Sequence, residues 1–385
     1  MSVTAAKGFR AAGVSAGLKR PGMRDLALVV NDGPRDSAAG VFTRNRVRAA
    51  PVLWSREAVS DGRLAAVVLN SGGANACTGP DGFADTHATA EKAGTVLGVS
   101  AADVAVCSTG LIGVRLPIDN LLAGLDAAAA GLGGEGRHGA DAAEAIMTTD
   151  TVAKEAAVAG DGWTVGGMAK GAGMLAPALA TMLVVLTTDA DVDASTLDTV
   201  LRAATARTFE RVDADGCLST NDTVLLLASG AAGIRPEPDA FAAALTACCA
   251  DLARQLVADA EGAEHEVEIA VTGAASEADA LEVARAVARN NLVKTAIYGR
   301  DPNWGRILAA VGTTGAAFQP DLLDVAVNGV KVCLGGAAGE DRSLVDLSGR
   351  HVRIEVDLHA GPATATVWTT DLTHAYVHEN SAYST

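Results

Sequence analysis

Short apolar runs along the chain alternate with alanine-rich stretches in which apolar residues recur every three or four positions. The runs at 26–30 and 65–70 are rich in Val, Leu and Ala and predict buried strands, whereas the periodic stretch at 85–98 predicts a helix. The same criteria predict strands at 104–108, 181–188, 223–229, 265–273, 324–334, 352–358 and 363–370, and helices at 118–130, 193–207, 239–260 and 276–290. This alternation indicates a mixed α/β architecture.

The last part of the chain departs from the alternation. The strand candidates from 324 onward follow one another with no helix between them, which favours antiparallel pairing. We therefore predict layered α+β packing. The stretch 131–142 is rich in Gly and charged residues, and we interpret it as a surface connection within a domain.

Composition restricts the partners that the protein can have. Hydrophobic residues make up 49% of the chain and charged residues 20%, the balance of a soluble globular protein. The net charge is -16 and no Lys/Arg block stands out, so we expect no nucleic acid partner. No apolar run approaches the roughly 18 residues of a membrane span, so we expect a cytoplasmic protein without membrane contact.

Several well-known catalytic signatures are missing from the sequence. There is no G-x-x-x-x-G-K-[ST] phosphate loop, no G-x-S-x-G nucleophile elbow and no H-E-x-x-H zinc helix. The 7 histidines have no ligand spacing, and the 6 cysteines contain no C-x-x-C pair, which argues against a disulfide framework. We therefore expect neither a metal nor a cofactor.

One unusual segment runs from Met168 to Ala190. Its first half is interpreted as a Gly-punctuated loop that carries Lys170, and its second half as a buried strand with Thr181 at the junction. If the bond before Thr181 is cut, this residue carries a free α-amine beside its hydroxyl. Such an amine has a pKa of about 7.7–8.0 and can act as general base for its own Oγ. The alternative is that Thr181 simply begins an ordinary strand.

This segment resembles the ornithine acetyltransferase family of arginine biosynthesis, also called glutamate N-acetyltransferase. The family signature K-G-[SA]-G-M-x-x-P-x-x-A-T-M-L is matched from Lys170 to Leu183. Further similar segments are GVFTRNRVRAAPV at 40–52, LNSGGANACTG at 69–79, CSTGLIG at 107–113, IMTTDT at 146–151, FERVDADGCLSTND at 209–222, LVKTAIYGRDPNWGRI at 292–307 and the terminal YVHENSAYST. The resemblance therefore extends over essentially the whole chain.

The resemblance implies a self-cleaving enzyme that uses an N-terminal nucleophile. Cleavage between Ala180 and Thr181 would give an α chain of residues 1–180 and a β chain of residues 181–385. These chains would remain associated as an α2β2 heterotetramer. The implied fold is an α+β layered sandwich of the α/β/β/α type, peculiar to this family.

The resemblance also implies the substrates and the residues that contact them. Acetyl would pass from N2-acetylornithine to glutamate through Thr181 in a ping-pong exchange. Some members also accept acetyl-CoA, and no local motif decides this point. The residues that match the oxyanion hole are Thr109 and Gly110. The residues that match the substrate contacts are Thr148, Lys170, Glu261, Asn380 and Thr385, with Thr149 chemically equivalent to Thr148.

Lys170 would supply a cation and Glu261 an anion, as substrates with both charges require. A different class with the same nucleophile stays open: an amidohydrolase or aminopeptidase that uses water as the acceptor. The chain also departs from the family pattern. His265 replaces the usual lysine, and the residues 215–218 before Ser219 differ from the common pattern. We expect these departures to affect substrate preference and not the reaction type.

Overall fold

The computed structural model describes residues 2–175 and 182–382. The predictions for Ala180, Thr181 and Thr385 therefore lie outside the described residues. The strands are Phe9–Val14 (β1), Leu26–Asn31 (β2), Ser37–Phe42 (β3), Ala66–Ser71 (β4), Val104–Thr109 (β5), Lys154–Ala159 (β6), Thr164–Lys170 (β7), Leu183–Thr188 (β8), Thr223–Ala228 (β9), Glu266–Ala274 (β10), Asp324–Val327 (β11), Val330–Leu334 (β12), Ala337–Ala338 (β13), His351–Asp357 (β14) and Ala363–Thr370 (β15). The helices are Ala50–Ala58 (α1), Gly79–Leu97 (α2), Ile118–Ala130 (α3), Gly136–Ala145 (α4), Ala194–Arg207 (α5), Pro238–Ala258 (α6), Glu277–Ala288 (α7), Asn291–Tyr298 (α8), Trp304–Val311 (α9) and His374–Ala382 (α10).

Two sheets pack face to face in the centre of the protein. One has the order β1-β2-β4-β5 and the other the order β3-β9-β8-β7-β6. Side chains alternate across each strand, so Val29 and Leu69 of the first sheet meet Val185 and Leu225 of the second. The central strands are buried on both faces, which explains why they are continuous apolar runs in the sequence.

Helices cover the outer faces of both sheets. Leu121 and Leu125 of α3, together with α2, pack on the first sheet. Leu201 of α5 and Leu252 of α6 pack on the second sheet, against the side chains that alternate away from its inner face. The order of layers is thus helix, sheet, sheet, helix, as the resemblance implies.

The long helix α6, which corresponds to the predicted helix at 239–260, passes the length and composition criteria for a membrane span, so the expectation that no stretch of the chain approaches them is wrong for this helix. It is the one helix of the described residues that does so, and half of its apolar window is buried inside the protein. Its buried side chains belong to the core against the second sheet. This burial is typical of a core helix.

A third sheet, of six strands, follows the sandwich in the chain and has the order β13-β12-β11-β14-β10-β15. The predicted strand at 324–334 is a hairpin, in which Asn328 and Gly329 both have positive φ. The prediction of antiparallel pairing among the last strands is only partly correct. Strands β14 and β15 do not pair with each other, because β10 lies between them and runs parallel to β14.

Two local predictions are wrong. Helix α4 occupies most of the stretch that we interpreted as a surface connection, and Ala142 is completely buried. Lys170 is the last residue of β7 and not part of a loop. In both places tertiary packing overrides the local abundance of glycine.

Removing a side chain between the two central sheets should destabilise the protein. For Leu225→Ala we expect the free energy of unfolding to fall by about 2–5 kcal/mol, because a cavity replaces a completely buried side chain. Leu53→Ala on α1, where the leucine is 47% exposed, is the control and should change it by less than about 0.5 kcal/mol. Urea denaturation measures both, and equal effects would contradict this account of the core.

Candidate functional site

The cleavage segment connects two neighbouring strands of the second sheet. Lys170 ends β7 and pairs with Leu183, which begins β8, and Leu183 in turn pairs with Thr223 at the start of β9. Thr181 itself is outside the described residues. Its neighbour Met182 is buried and follows it directly in the chain. The segment that contains the predicted nucleophile thus starts and ends at one edge of this sheet.

A cavity at this edge brings together all the predicted site residues that the structure describes. They come from five separate parts of the chain, which only the fold places side by side. The lining residues are Thr109, Gly110, Thr148, Thr149, Lys170, Gly173, Met174, Glu261 and Asn380. The alternatives Thr148 and Thr149 both line the cavity. The chemical roles of these residues remain predictions.

Lys170 is a buried cation with only long contacts. Its side chain is 2% exposed, and its Nζ lies 3.3 Å from Thr109 Oγ1 and 4.0 Å from Asp150 Oδ2. Burial lowers the pKa of Lys170 from its usual value, while the negative charges of Asp150 and Glu261 act in the opposite direction. A buried ammonium without a short ion pair is well suited to bind a carboxylate that enters the cavity.

A second buried lysine, Lys154, differs from Lys170 in that it forms short ion pairs. Lys154 Nζ is paired with Asp150 Oδ1 at 2.7 Å and with Asp259 Oδ2 at 2.6 Å, and its side chain is 0% exposed. The two short ion pairs and a hydrogen bond to the carbonyl of Val152 at 3.3 Å use all three donors of this ammonium. We therefore assign Lys154 a structural role, in contrast to Lys170.

Asp150 connects the two lysines. Its carboxylate accepts hydrogen bonds from the amides of Thr148, at 2.9 Å, and Gly171, at 2.7 Å. Burial by itself would raise the pKa of Asp150, but the charges of Lys170 and Lys154 and the hydrogen bonds from Lys154 and the Thr148 amide lower it to about 2. Asp150 thus stays ionised and fixes both the Thr148 segment and the end of β7.

Glu261 lies in the turn after α6 and faces the cavity. Its amide donates to the carbonyl of Ala172 at 3.0 Å, and its carboxylate accepts from Asn380 Nδ2 at 2.9 Å. A Cβ on Gly173 would lie 2.6 Å from both carboxylate oxygens of Glu261, so only glycine leaves this carboxylate in place. Helix α10, which carries Asn380, is held by a 2.6 Å hydrogen bond from Thr373 Oγ1 to the carbonyl of Gly262.

Thr109 and Gly110 occupy the end of β5. Gly110 has a φ of 127°, and a Cβ there would lie 2.6 Å from the backbone nitrogen of Gly73. Glycine is therefore required by both conformation and space. The hydroxyl of Thr109 contacts the Lys170 ammonium, so the predicted oxyanion donors and the cation lie in one cavity.

The sequence analysis missed the buried charges behind the cavity, namely Asp150, Lys154 and Asp259. Asp150 lies in the IMTTDT segment, and the one charged residue within this family-like segment was a signal that could have identified it. His265, by contrast, is not among the lining residues. It is buried, with its Nδ1 2.7 Å from Asp371 Oδ2. The replacement of the usual lysine thus changes a buried contact outside the cavity.

Comparison with known proteins identifies the family. The model of the ArgJ family matches residues 10–385. The chain belongs to the ArgJ family. It is 66% identical to the "Arginine biosynthesis bifunctional protein ArgJ" of Streptomyces coelicolor over 384 residues, and 63% identical to that of Thermobifida fusca over 385 residues, with 100% of both chains covered in each case. The predicted resemblance is confirmed, and the chain is an acetyltransferase of the ArgJ type.

Solved structures of ArgJ proteins are similar to parts of the chain. Ornithine acetyltransferase from Mycobacterium tuberculosis, solved in complex with ornithine, is 60% identical; the match covers 47% of this chain and 96% of that chain, with a TM-score of 0.46. The ArgJ protein of Bacillus halodurans is 39% identical, with 51% and 97% covered and a TM-score of 0.49.

Breaking the buried charge network should destabilise this ArgJ protein. In Asp150→Asn, Lys154 and Lys170 lose their shared anion, and we expect the free energy of unfolding at neutral pH to fall by about 3–5 kcal/mol. The folded pKa of Asp150, about 2, lies below the unfolded value of about 3.9. The difference between wild type and variant should therefore be complete above about pH 4 and shrink as the pH falls towards 2.

Urea denaturation across this pH range measures the effect. Asp36→Asn is the control, because Asp36 pairs with Arg63 at 2.6 Å on the surface, with both side chains about half exposed. It should cost less than about 1 kcal/mol at every pH. A difference for Asp150→Asn that does not depend on pH would contradict an ionised Asp150.

Proposed function

We propose that the chain is a self-cleaving glutamate N-acetyltransferase that moves acetyl from N2-acetyl-L-ornithine to L-glutamate through Thr181. One observation carries the proposal: a buried cation, Lys170, and a carboxylate, Glu261, line one cavity beside the strand that follows Thr181. Amino acid substrates present both charges. A cavity with both signs can therefore hold the donor and the acceptor in turn.

Maturation would begin when Thr181 Oγ attacks the carbonyl carbon of Ala180. An ester bond forms, the Ala180–Thr181 peptide bond breaks, and the Thr181 nitrogen takes up the proton of the hydroxyl. Water then hydrolyses the ester and releases the Ala180 carboxylate. The products would be chains of residues 1–180 and 181–385, which we propose assemble as an α2β2 heterotetramer in the cytoplasm.

The acetyl transfer repeats this chemistry on a substrate. Thr181 Oγ attacks the acetyl carbonyl of acetylornithine while the free α-amine takes the hydroxyl proton. The carbon–nitrogen bond then breaks, and ornithine leaves with that proton. Glutamate enters, its amine attacks the acetyl-threonine ester, and acetylglutamate leaves with Thr181 restored.

The protein's own groups would stabilise each intermediate. Thr109 and the backbone at Gly110 would stabilise the negative charge that develops on the carbonyl oxygen. One such donor typically contributes about 10²- to 10³-fold in rate. Lys170 would bind a substrate carboxylate, and Glu261, with Asn380, the ammonium group of ornithine. Thr148 and Thr385 would complete the contacts.

A second acetyl donor, acetyl-CoA, is part of the proposal because the relatives are named bifunctional proteins. Release of free coenzyme A from acetyl-CoA in the presence of glutamate tests this activity separately. It does not affect the exchange between acetylornithine and glutamate.

The acceptor distinguishes transfer from hydrolysis. We expect purified protein to consist of two fragments that meet at Ala180 and Thr181, and to release ornithine from acetylornithine only when glutamate is present. Intact-mass analysis and an ornithine assay measure these properties. Thr181→Ala should remain one chain of 38.6 kDa and lose transfer. Release that is independent of glutamate would favour an amidohydrolase, and transfer by Thr181→Ala would refute the nucleophile.

Displacing Glu261 without changing it tests the charge pairing in the cavity. In Gly173→Ala the new methyl group would push the carboxylate of Glu261 away. We expect kcat/KM for acetylornithine to fall about 10- to 100-fold, the equivalent of about 1.4–2.7 kcal/mol in transition-state binding, with little change in folding. Gly349→Ala, with no neighbouring atom in the way, is the control. Equal kinetics of the two variants would exclude a role for the Glu261 position.

A further inference from the structure

A cavity beside the edge strand β3 is lined by arginines. Its volume is about 460 Å³, and its lining includes Arg44, Arg48, Arg56 and Arg202. Arg44 and Arg48 belong to the segment at 40–52, one of the family-like segments of the sequence, which the proposed function does not use. Arg56 belongs to α1 and Arg202 to α5, so only the fold completes the cluster. We call this cavity the arginine cavity.

Four cations around one cavity contrast with the acidic composition of the chain. The net charge is -16, with 30 Lys and Arg residues against 46 Asp and Glu residues. Glu210, which pairs with Arg44 at 2.5 Å, is the one carboxylate among the described residues that lines the cavity. Arg202 pairs with a carboxylate of its own helix at 2.8 Å. Arg48 and Arg56 have no carboxylate oxygen within 4.0 Å in the part of the chain that the structure describes. The arginine cavity therefore has two cations that an anion from outside could neutralise.

Strand β3 adds backbone donors to the arginines. It is an edge strand of the second sheet and pairs with β9 on one side. The amide of Thr43 donates to the carbonyl of Asp222. Because hydrogen bonds alternate along an antiparallel pair, the amides of Gly40 and Phe42 face away from β9. Gly40 and Phe42 both line the arginine cavity. Backbone amides and guanidinium groups are the donors that proteins commonly use to bind phosphate.

The arginine cavity and the candidate active site lie at the same edge of the second sheet. Phe42, at the end of β3, pairs with Thr223, which also pairs with Leu183. Leu183 in turn pairs with Lys170 at the end of β7. Phe42 and Lys170 therefore belong to one row across the sheet, three strand spacings apart. Since neighbouring strands are about 4.8 Å apart, the two residues are separated by about 14 Å.

Acetyl-CoA, the second acetyl donor of the proposed function, has phosphates at a similar distance from its reacting group. About 13 bonds join the thioester sulfur to the nearest phosphorus, and at the roughly 3.3–3.6 Å that an extended chain gains per three bonds this arm spans about 15 Å. The molecule carries a pyrophosphate and a 3′-phosphate, and a phosphate monoester alone has a charge of about -1.5 to -2 at pH 7. Acetylornithine and glutamate have no phosphate, so neither of them accounts for an arginine cluster beside the site.

We propose that the arginine cavity binds the phosphate groups of acetyl-CoA. The guanidinium groups pair with the pyrophosphate and the 3′-phosphate, and the amides of Gly40 and Phe42 add hydrogen bonds. The extended arm then brings the thioester to the cavity that Thr109 and Lys170 line. There the acetyl-threonine ester forms, the carbon–sulfur bond breaks, and coenzyme A leaves as the thiol with the proton of the hydroxyl. The inference rests on the proposed function, because it assigns a site to the second donor of that function.

The double variant Arg48→Ala/Arg56→Ala tests the arginine cavity. Both side chains are exposed and have no carboxylate partner among the described residues, so we expect the variant to fold like wild type. Its KM for acetyl-CoA should rise about 10- to 30-fold, because charge-assisted contacts with phosphate are lost. Its kcat at saturating acetyl-CoA should stay within about twofold, since these arginines lie away from the reacting carbonyl. The kinetics of the acetylornithine–glutamate exchange should equal those of wild type.

A second variant and a second substrate are the controls. Arg137→Ala/Arg235→Ala removes the same two charges from exposed arginines that do not line the arginine cavity, and it should keep the wild-type KM for acetyl-CoA. S-acetylpantetheine has the same thioester but no phosphate, so its KM should be equal in wild type and in Arg48→Ala/Arg56→Ala. An equal rise in KM for both thioesters would overturn the proposal, because the lost contact would not be one with phosphate.

Titration calorimetry with free coenzyme A measures binding without acetyl transfer. We expect wild type to bind coenzyme A more tightly than inorganic phosphate, and the dissociation constant to rise about 10- to 30-fold in Arg48→Ala/Arg56→Ala. Equal affinity of the two proteins for coenzyme A overturns the proposal. Coenzyme A that binds no more tightly than inorganic phosphate also overturns it, since the cavity would then be a general anion site.

The two kinds of measurement separate this site from the proposed function. If wild type binds coenzyme A through these arginines but does not exchange acetyl between acetylornithine and glutamate, the proposed function fails and the phosphate site stands. If wild type exchanges acetyl but both proteins bind coenzyme A equally, the phosphate site fails and the proposed function stands.

Discussion

The candidate site depends on the burial of two lysines around one carboxylate. A buried ammonium is costly unless an anion compensates its charge, and Asp150 compensates for Lys154 at 2.7 Å and for Lys170 at 4.0 Å. The same carboxylate binds the amides of Thr148 and Gly171. One buried anion therefore connects the segment before β6 to the end of β7. The need to neutralise the charges of Lys154 and Lys170 therefore determines the position of the cavity wall that contains Thr148 and Lys170.

The same buried ion pairs also position Glu261, the carboxylate that lines the cavity and is opposite in charge to Lys170. Asp259, the second partner of Lys154, is two residues before Glu261 in the turn after α6. Asp259 additionally accepts from the amide of Thr151 at 3.0 Å. The buried ion pair between Lys154 and Asp259 thus fixes the turn that carries Glu261. The buried charges of Asp150, Lys154 and Asp259 therefore position both Lys170 and Glu261.

Much of the fold could be predicted because the strands of the sandwich are buried on both faces. Strands such as β8 and β9 are continuous apolar runs, and their bounds agree with the prediction to within two residues. Helix α4 could not be predicted, because Gly139 serves close packing: a Cβ there would lie 2.6 Å from Ser2. The insertion of β10 between β14 and β15 is a long-range pairing that local periodicity does not encode. The site residues were found through family motifs, and their convergence depends on the fold.

The difference between the two buried lysines indicates how structure and function share one network. Lys154 has two carboxylates within 2.7 Å, so a further anion would gain little from it. Lys170 has its nearest carboxylate oxygen at 4.0 Å and lines the cavity, so an entering carboxylate can form the short ion pair that the protein does not supply. In a buried site such a pair is stronger than in water. The folded protein therefore bears the cost of burying Lys170, and a bound substrate carboxylate would offset part of it.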